Sequence, residues 1–376
     1  MGTGGAWTVF KIGRIPVRIH WSLLLVLPYL AVIIGYQFKQ AAAIAGVVPA
    51  RLSLSPYLWG LALAIALFVC VLLHELSHIV VGLRAGAQVH DVTLMILGGV
   101  TNMTRMPQGA LAEGLMALAG PVSSGLLAAL CLVGYRLLPA GAHDLRFGIF
   151  YLGEINLVLA IFNVIPAFPM DGGRILRAAL QPALGRVRST KTAAVVGRVL
   201  AVLLGVVGIY GGNFILILIA VFIFMGAGAE ARQVELDELV KRFRVAQIMD
   251  RNPPMVDPAA TIGEVAERIR SSGTPEVFVV APDGGLLGIV AAAAVLRPGQ
   301  DGSGPITTVM QEPGPIASPD EMLDVVLKRL AQSRVSRIAV VENGRLVGSL
   351  GPSVIERVWR GRQIERAATL QRRREA

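Results

Sequence analysis

A polytopic helical membrane protein of six spans, followed by a soluble α/β domain built on an internal repeat, is the fold class this sequence predicts. Three observations carry it. The 376 residues are 54% hydrophobic and only 16% charged, whereas a soluble domain carries about 25% charge. Long apolar runs recur up to about residue 229 and then stop, and the composition returns to soluble values. Beyond that point one pattern of helix, strand and turn residues occurs twice, about 60 residues apart. The expected organisation is a membrane domain over 1–229, a linker over 230–244, two repeats over 245–300 and 301–358, and a basic tail over 359–376.

The elements follow in order. Residues 10–20 alternate loosely around Lys11, Arg14 and Arg18 and read as a short strand or an interfacial segment. The apolar runs are 21–36, 57–81, 110–138, 149–165, 192–210 and 214–227. Each is long enough, or nearly so, to cross about 30 Å of hydrocarbon as a helix. Residues 82–108 form a mixed loop in which 89–100 are β-branched and apolar, ending at Gly98-Gly99; 174–191 read as a basic loop. No small-residue cleavage site follows the first 19 residues, so the first run is expected to remain in place. Lys and Arg concentrate in the loops on one side of the six runs (Lys11, Arg14, Arg84, Arg105, Arg174 and Arg186 among them), which places both termini and the soluble domain in the cytosol. The net charge of +10 is then accounted for by loops and tail beside anionic lipid, without nucleic acid as a partner. The two cysteines, Cys70 and Cys131, lie in apolar runs and exclude a disulfide framework.

The second run contains His74-Glu75-Leu76-Ser77-His78. A charged group at the centre of a membrane helix costs on the order of 3 kcal/mol on insertion scales, so these residues need a partner. Positions i and i+4 share a helix face, and two histidines there can grip one metal ion with Glu75 beside it. Hydrolytic zinc takes three protein ligands and leaves one position for water. His20 and His143 have unpromising contexts; His90 stays open because its loop follows the motif helix. Asp171 is the better candidate, at the end of the fourth run in Asn163-Val164-Ile165-Pro166-Ala167-Phe168-Pro169-Met170-Asp171-Gly172-Gly173. The two prolines must unwind the backbone, and unwound backbone is tolerated at membrane depth only against protein or a wet cavity.

The HExxH motif together with the Asn-x-x-Pro-x-x-Pro-x-Asp-Gly-Gly run resembles the site-2 protease family of intramembrane zinc metalloproteases. The resemblance implies one zinc ion held by His74, His78 and Asp171, with Glu75 as the catalytic acid and base. It implies that Asn163 lies near the substrate carbonyl and that Gly98-Gly99 belong to an edge strand that takes substrate. It further implies cleavage of single-span or membrane-anchored proteins in a bacterial or archaeal cell membrane, with release of a transcription regulator as the family-level expectation. Gly120-Pro121 in the third run reads as close helix packing or a kink.

The C-terminal repeat looks like a pair of CBS domains, with helices at 262–271 and 323–330 and hairpin turns at Asp283-Gly284-Gly285 and Asn343-Gly344. Such pairs often bind adenine nucleotides through a Thr or Ser and an Asp three residues on. Here those positions are Ala291 and Ala294, then Gly351 and Val354. The departure counts against a nucleotide and leaves homodimerisation or presentation of substrate as the role. A transporter or channel gated by the CBS pair is the competing function.

Overall fold

The computed structural model describes residues 5–96, 98–107, 109–297, 299–333 and 335–351. The expected basic tail and Val354 lie outside them. The chain divides into two compact units, residues 1–234 and 235–376.

The first unit opens with the hairpin β1 (Ala6–Ile12) and β2 (Ile15–His20), turning at Gly13. A bulge between Thr8 and Phe10 brings Trp7, Phe10 and Ile12 opposite Ile19, Val17 and Ile15. All six therefore share one face of the hairpin. His20 then caps α1 (Trp21–Tyr36), its Nδ1 accepting from the Ser22 amide. The first expected span is short: α1 has 16 residues and gives way to α2 (Phe38–Ile44) across a bend of 67°. The second run extends into α3 (Pro56–Arg84), opened by Ser55 at the N-cap and Pro56 in the first turn.

The stretch expected as a mixed loop is a hairpin of β3 (Gln88–Met95) and β4 (Gly98–Arg105). β2 runs parallel to β3, giving the sheet order β1-β2-β3-β4. Of the two strands of this hairpin, β4 lies at an edge of the sheet and β3, which carries Val92, is interior.

The remaining helices are α4 (Ala110–Leu137), α5 (His143–Val164), α6 (Asp171–Tyr210) and α7 (Phe214–Val240). Among the described residues five helices are long and apolar enough to cross a membrane, and six spans result if α1 and α2 count as one. One expectation needs correction. Residues 174–191 are helical, not a loop: α6 begins at Asp171 and is interrupted only at Gly185, whose φ of 73° no helix contains. The charges there lie on a helix that precedes its apolar part. The stretch 230–244 is likewise helical as far as Val240.

Packing in this unit relies on small residues. A Cβ on Gly60 would overlap the Ala31 carbonyl, so α1 and α3 approach at backbone distance. Ala167, Ala193, Ala194, Ala201 and Ala227 are buried, while Leu126, Leu130, Val202, Leu203 and Ile215 face outward.

The second unit contains two related halves. The first has α8 (Val245–Ile248), β5 (Met255–Val256), α9 (Ile262–Ser272), β6 (Glu276–Val280), β7 (Leu286–Ala291) and α10 (Ala292–Val295). The second has β8 (Ile316–Ala317), α11 (Leu323–Gln332), β9 (Ile338–Glu342) and β10 (Arg345–Leu350). Each sheet pairs its short strand parallel to the first arm of a hairpin. Thr261 and Glu264 form a capping box on α9, and Gly273 ends it in the left-handed region. Asn343 and Gly344 both have positive φ, as their hairpin turn demands. Val277, Val279, Val290 and Ile306 fill one core and Leu323, Val326, Ile338 and Leu350 the other. Phe278, Ile289 and Ala339 pack between the halves.

Candidate active site

The site is built where α3, α4 and the start of α6 meet. His74 and His78 are one turn apart on α3, both buried, with ring centroids 4.8 Å apart. Their Nε2 atoms each lie 3.1 Å from the same atom, Asp171 Oδ2. Asp171 reaches them because Pro166 and Pro169 end α5 and the chain turns tightly into α6. Gly172 and Gly173 sit so close to the carbonyl oxygens of Val164, Ile165 and Ala167 that no side chain fits at either position. The Asp-Gly-Gly sequence is therefore a steric requirement of this turn as well as the source of a carboxylate.

The other ring nitrogens are held. His78 Nδ1 donates to the Met116 carbonyl at 2.7 Å, and His74 Nδ1 meets Ser124 Oγ at 3.0 Å. A carbonyl only accepts, so His78 carries a proton on Nδ1, and the ring in its neutral form presents a lone pair at Nε2. That lone pair faces a carboxylate oxygen, another acceptor. Acceptors converging in a buried site call for a cation between them. The three donor atoms lie within 4.8 Å of one another. Two ligands held ~2.0–2.1 Å from a tetrahedral zinc stand roughly 3.3 Å apart, close to the 3.1 Å observed. Gly120 of α4 supplies the room: a Cβ there would overlap Nε2 of both histidines. The donor set and this cradle fit a zinc ion.

Glu75 is half-buried beside the pair and faces the sheet. Its Oε2 accepts a hydrogen bond of 2.6 Å from the Thr101 hydroxyl of β4. A Cβ on Gly99 would stand 2.5 Å from Glu75 Cγ, so the strand lies directly on this side chain. Gly98, with φ of 115°, opens β4 opposite Met95. Asn163 is half-buried and donates to Leu159 O in its own helix at 2.9 Å, and Asn156 donates to Cys70 Sγ at 3.1 Å. Glu154 borders an apolar cavity between α4 and α5. His90, left open as a ligand, instead binds Asp91 Oδ2 at 2.6 Å, and His143 pairs with Arg51.

Behind the site, Asp91 of β3 is 1% exposed. It accepts from Asn102 Nδ2 (2.6 Å) and Thr93 Oγ1 (3.2 Å), with Arg18 at 3.5 Å. Burial alone would raise its pKa, but the hydrogen bonds from Asn102, His90 and Thr93 and the Arg18 charge outweigh it and hold the carboxyl below its ordinary value. On the far side of Asp171, Arg177 of α6 is buried between Glu113 of α4 and Glu230 of α7, with 2.6 Å to the latter.

Ser124, Met116 and Thr101 carry no motif signature; Gly120, with Pro121, reads from the sequence as close helix packing or a kink and not as a site residue. Thr101 follows Gly99 by two positions, the spacing that returns a strand to the same face, and that is the one signal it offered.

Known proteins resemble this chain along most of its length. Peptidase family M50 matches residues 62–147 and 138–207, and the CBS domain matches 245–298 and 306–353. A zinc metalloprotease of Methanocaldococcus jannaschii is 32% identical over 353 residues, 93% of this chain and 94% of its own length. The Rip3 protein of Mycobacterium tuberculosis is 32% identical over 369 residues, 93% of this chain and 91% of its own. A site-2 protease structure from M. jannaschii is 34% identical and covers 60% of this chain and 95% of its own, with a TM-score of 0.44. Identity at this level, along nearly the full length of both chains, shows that the protein belongs to peptidase family M50 and is a multi-pass intramembrane zinc metalloprotease with a C-terminal CBS pair.

Proposed function

We propose that His74, His78 and Asp171 hold the zinc ion, that Glu75 is the acid and base, and that the substrate is a single-span or membrane-anchored protein. The observation that carries the reading is the convergence of both Nε2 atoms on Asp171 Oδ2, with Nδ1 of each ring already held. When bound, the ion supplies Lewis-acid polarisation of the scissile carbonyl and acidifies water. Ser124 and the Met116 carbonyl fix the two rings so that their Nε2 atoms stay aimed at the ion. Glu75 takes the proton of the attacking water and delivers it to the leaving amine.

A substrate helix has its own carbonyls hydrogen-bonded, so its scissile segment must be extended before attack. β4 is an edge strand lying on Glu75, and an extended segment paired to it would be held open beside the site. Gly98 and Gly99 serve this by keeping the strand free of side chains where it passes Glu75. Asn163 is assigned to the substrate carbonyl on the family resemblance alone. The excess of Lys and Arg on one side of the spans supports a site that opens toward the cytosol, with about 15 Å along α3 from Arg84 to His74; a homodimer contact through the CBS pair belongs to the same proposal.

The test is co-expression of wild type, Glu75→Gln and Asp171→Ala with a panel of single-span fusion proteins, with zinc measured in the purified proteases. Cleavage by wild type only, full zinc in Glu75→Gln and lost zinc in Asp171→Ala are expected. Zinc retained by Asp171→Ala, or cleavage by Glu75→Gln, sinks the assignment. Proline at 98 and 99 should abolish cleavage while zinc stays bound.

A further inference from the structure

We infer that Thr101 is a positioning residue for the reaction: its hydroxyl clamps one oxygen of Glu75 and leaves the other for the water. The inference rests on the reading of Glu75 as the acid and base. The Thr101 Oγ1 to Glu75 Oε2 distance of 2.6 Å is that of a charge-assisted O–H···O⁻ bond, roughly twice as strong as a neutral one. Glu75 Oε1 has no hydrogen-bond partner among the described residues. A glutamate on an α-helix has three side-chain torsions; the helix disfavours χ1 near +60° but leaves the other rotamers open. Two features of β4 choose here. Gly99 lets the strand close onto Cγ, which blocks rotation on that side. Thr101, on the same face two residues on, takes Oε2.

The clamp is itself held in register. Thr101 is paired with Val92, and its neighbour Asn102 with Asp91, the buried carboxylate that also binds Thr93, His90 and Arg18. A slip of β4 by one residue would turn Thr101 away from Glu75 and break the Asn102–Asp91 bond. Three strands of the sheet thus converge on the placement of one carboxylate. Because β4 is also the strand proposed to receive substrate, seating a peptide on its edge steadies the same hydroxyl.

The experiment compares Thr101→Val, Thr101→Ser and Glu75→Gln in proteoliposomes, with a single-span fusion protein that the wild type cleaves as the probe. Thr101→Val keeps the shape and removes the donor. It should lower kcat about 10- to 100-fold, the effect of a misplaced catalytic group, with KM and zinc content unchanged. Thr101→Ser restores the donor and should recover most of the lost kcat. Wild-type kcat in Thr101→Val, a change confined to KM, zinc lost in step with activity, or Thr101→Ser no better than Thr101→Val each overturns the clamp. Cleavage by Glu75→Gln overturns the underlying assignment instead, so the two failures are distinguishable.

Discussion

The two units of this chain bury different mixtures of residue. In the C-terminal unit the interior is Val277, Val279, Val290, Leu323, Ile338 and Leu350, as in any water-soluble domain. In the membrane unit alanine, glycine and charged groups share the interior with a smaller set of large apolar residues such as Phe68, Phe147, Phe168 and Ile223, while many leucines and valines, Leu126, Leu130 and Val202 among them, point out. Lipid tails are as apolar as leucine, so moving a large aliphatic side chain inward gains little there, and close backbone approach and polar pairing decide the packing instead. The difference explains where chemistry can be placed. Buried polar groups are an expense in the C-terminal cores, but in the membrane unit His74, His78, Asp171, Glu113 and Arg177 are part of what holds the helices together.

The contrast can be broken from either side. The largest effect is expected from the smallest addition: Gly120→Ala puts a methyl group into the cradle between the two histidines, and should remove zinc and lower cleavage by about 100-fold or more, read by metal analysis and the fusion-protein assay. In the soluble cores an added methyl would merely crowd its neighbours.

Next is Arg177→Ala, which strands the buried Glu113. Removing one member of a buried pair costs roughly 3–5 kcal/mol, visible as a lowered unfolding midpoint in detergent. Replacing both residues by apolar ones should recover most of it. In the other unit the same rank belongs to an aliphatic side chain: Ile338→Ala empties a fully buried position and should cost about 2–5 kcal/mol in the denaturant unfolding of the C-terminal unit, with zinc content unchanged.

A smaller effect concerns pH. The folded Asp91 carboxyl ionises below its ordinary value, so its contribution is fully present above the unfolded pKa of about 3.9 and is lost as pH falls through the folded one. Amides of β3 and β4, with rates corrected for intrinsic exchange, should be less protected at low pH than near neutrality. Asp91→Asn should lower their protection at both. The smallest effect sharpens the comparison most: Leu126→Ala removes a side chain that is 61% exposed on the outer face of α4. It should shift stability by no more than about 0.5 kcal/mol, against several for the chemically similar loss at Ile338.

The spans, the HExxH helix, Asp171 and the repeated C-terminal half were legible because each rests on local spacing: i and i+4 on one helix, two prolines before an Asp-Gly-Gly turn, hairpin turns about 60 residues apart. What was not legible depends on where distant segments approach. The packing of Gly120 against His74 and His78 exists only because α4 crosses α3 at that residue. Thr101 meets Glu75 only through the β3–β4 register, which a buried Asp91 sets. Residues 174–191 read as a loop because charge was taken for exposure; the helix instead carries its charges into Arg177's buried network before its apolar part begins. The first run was legible to its bounds, 21–36, but the helix α2 that follows it across a 67° bend was not.

The bulge in β1 has one further consequence. The sheet has two open sides, and a peptide seeking a strand partner could in principle add to either. Where the bulge inserts Val9, the regular ladder of β1 is interrupted, and Lys11 and Arg14 stand nearby. β1 is therefore a poor template. A peptide threading toward this sheet is offered a single usable margin, the one that runs past Glu75, so misdirected capture is discouraged at the opposite end of the sheet from the residues that would cut it.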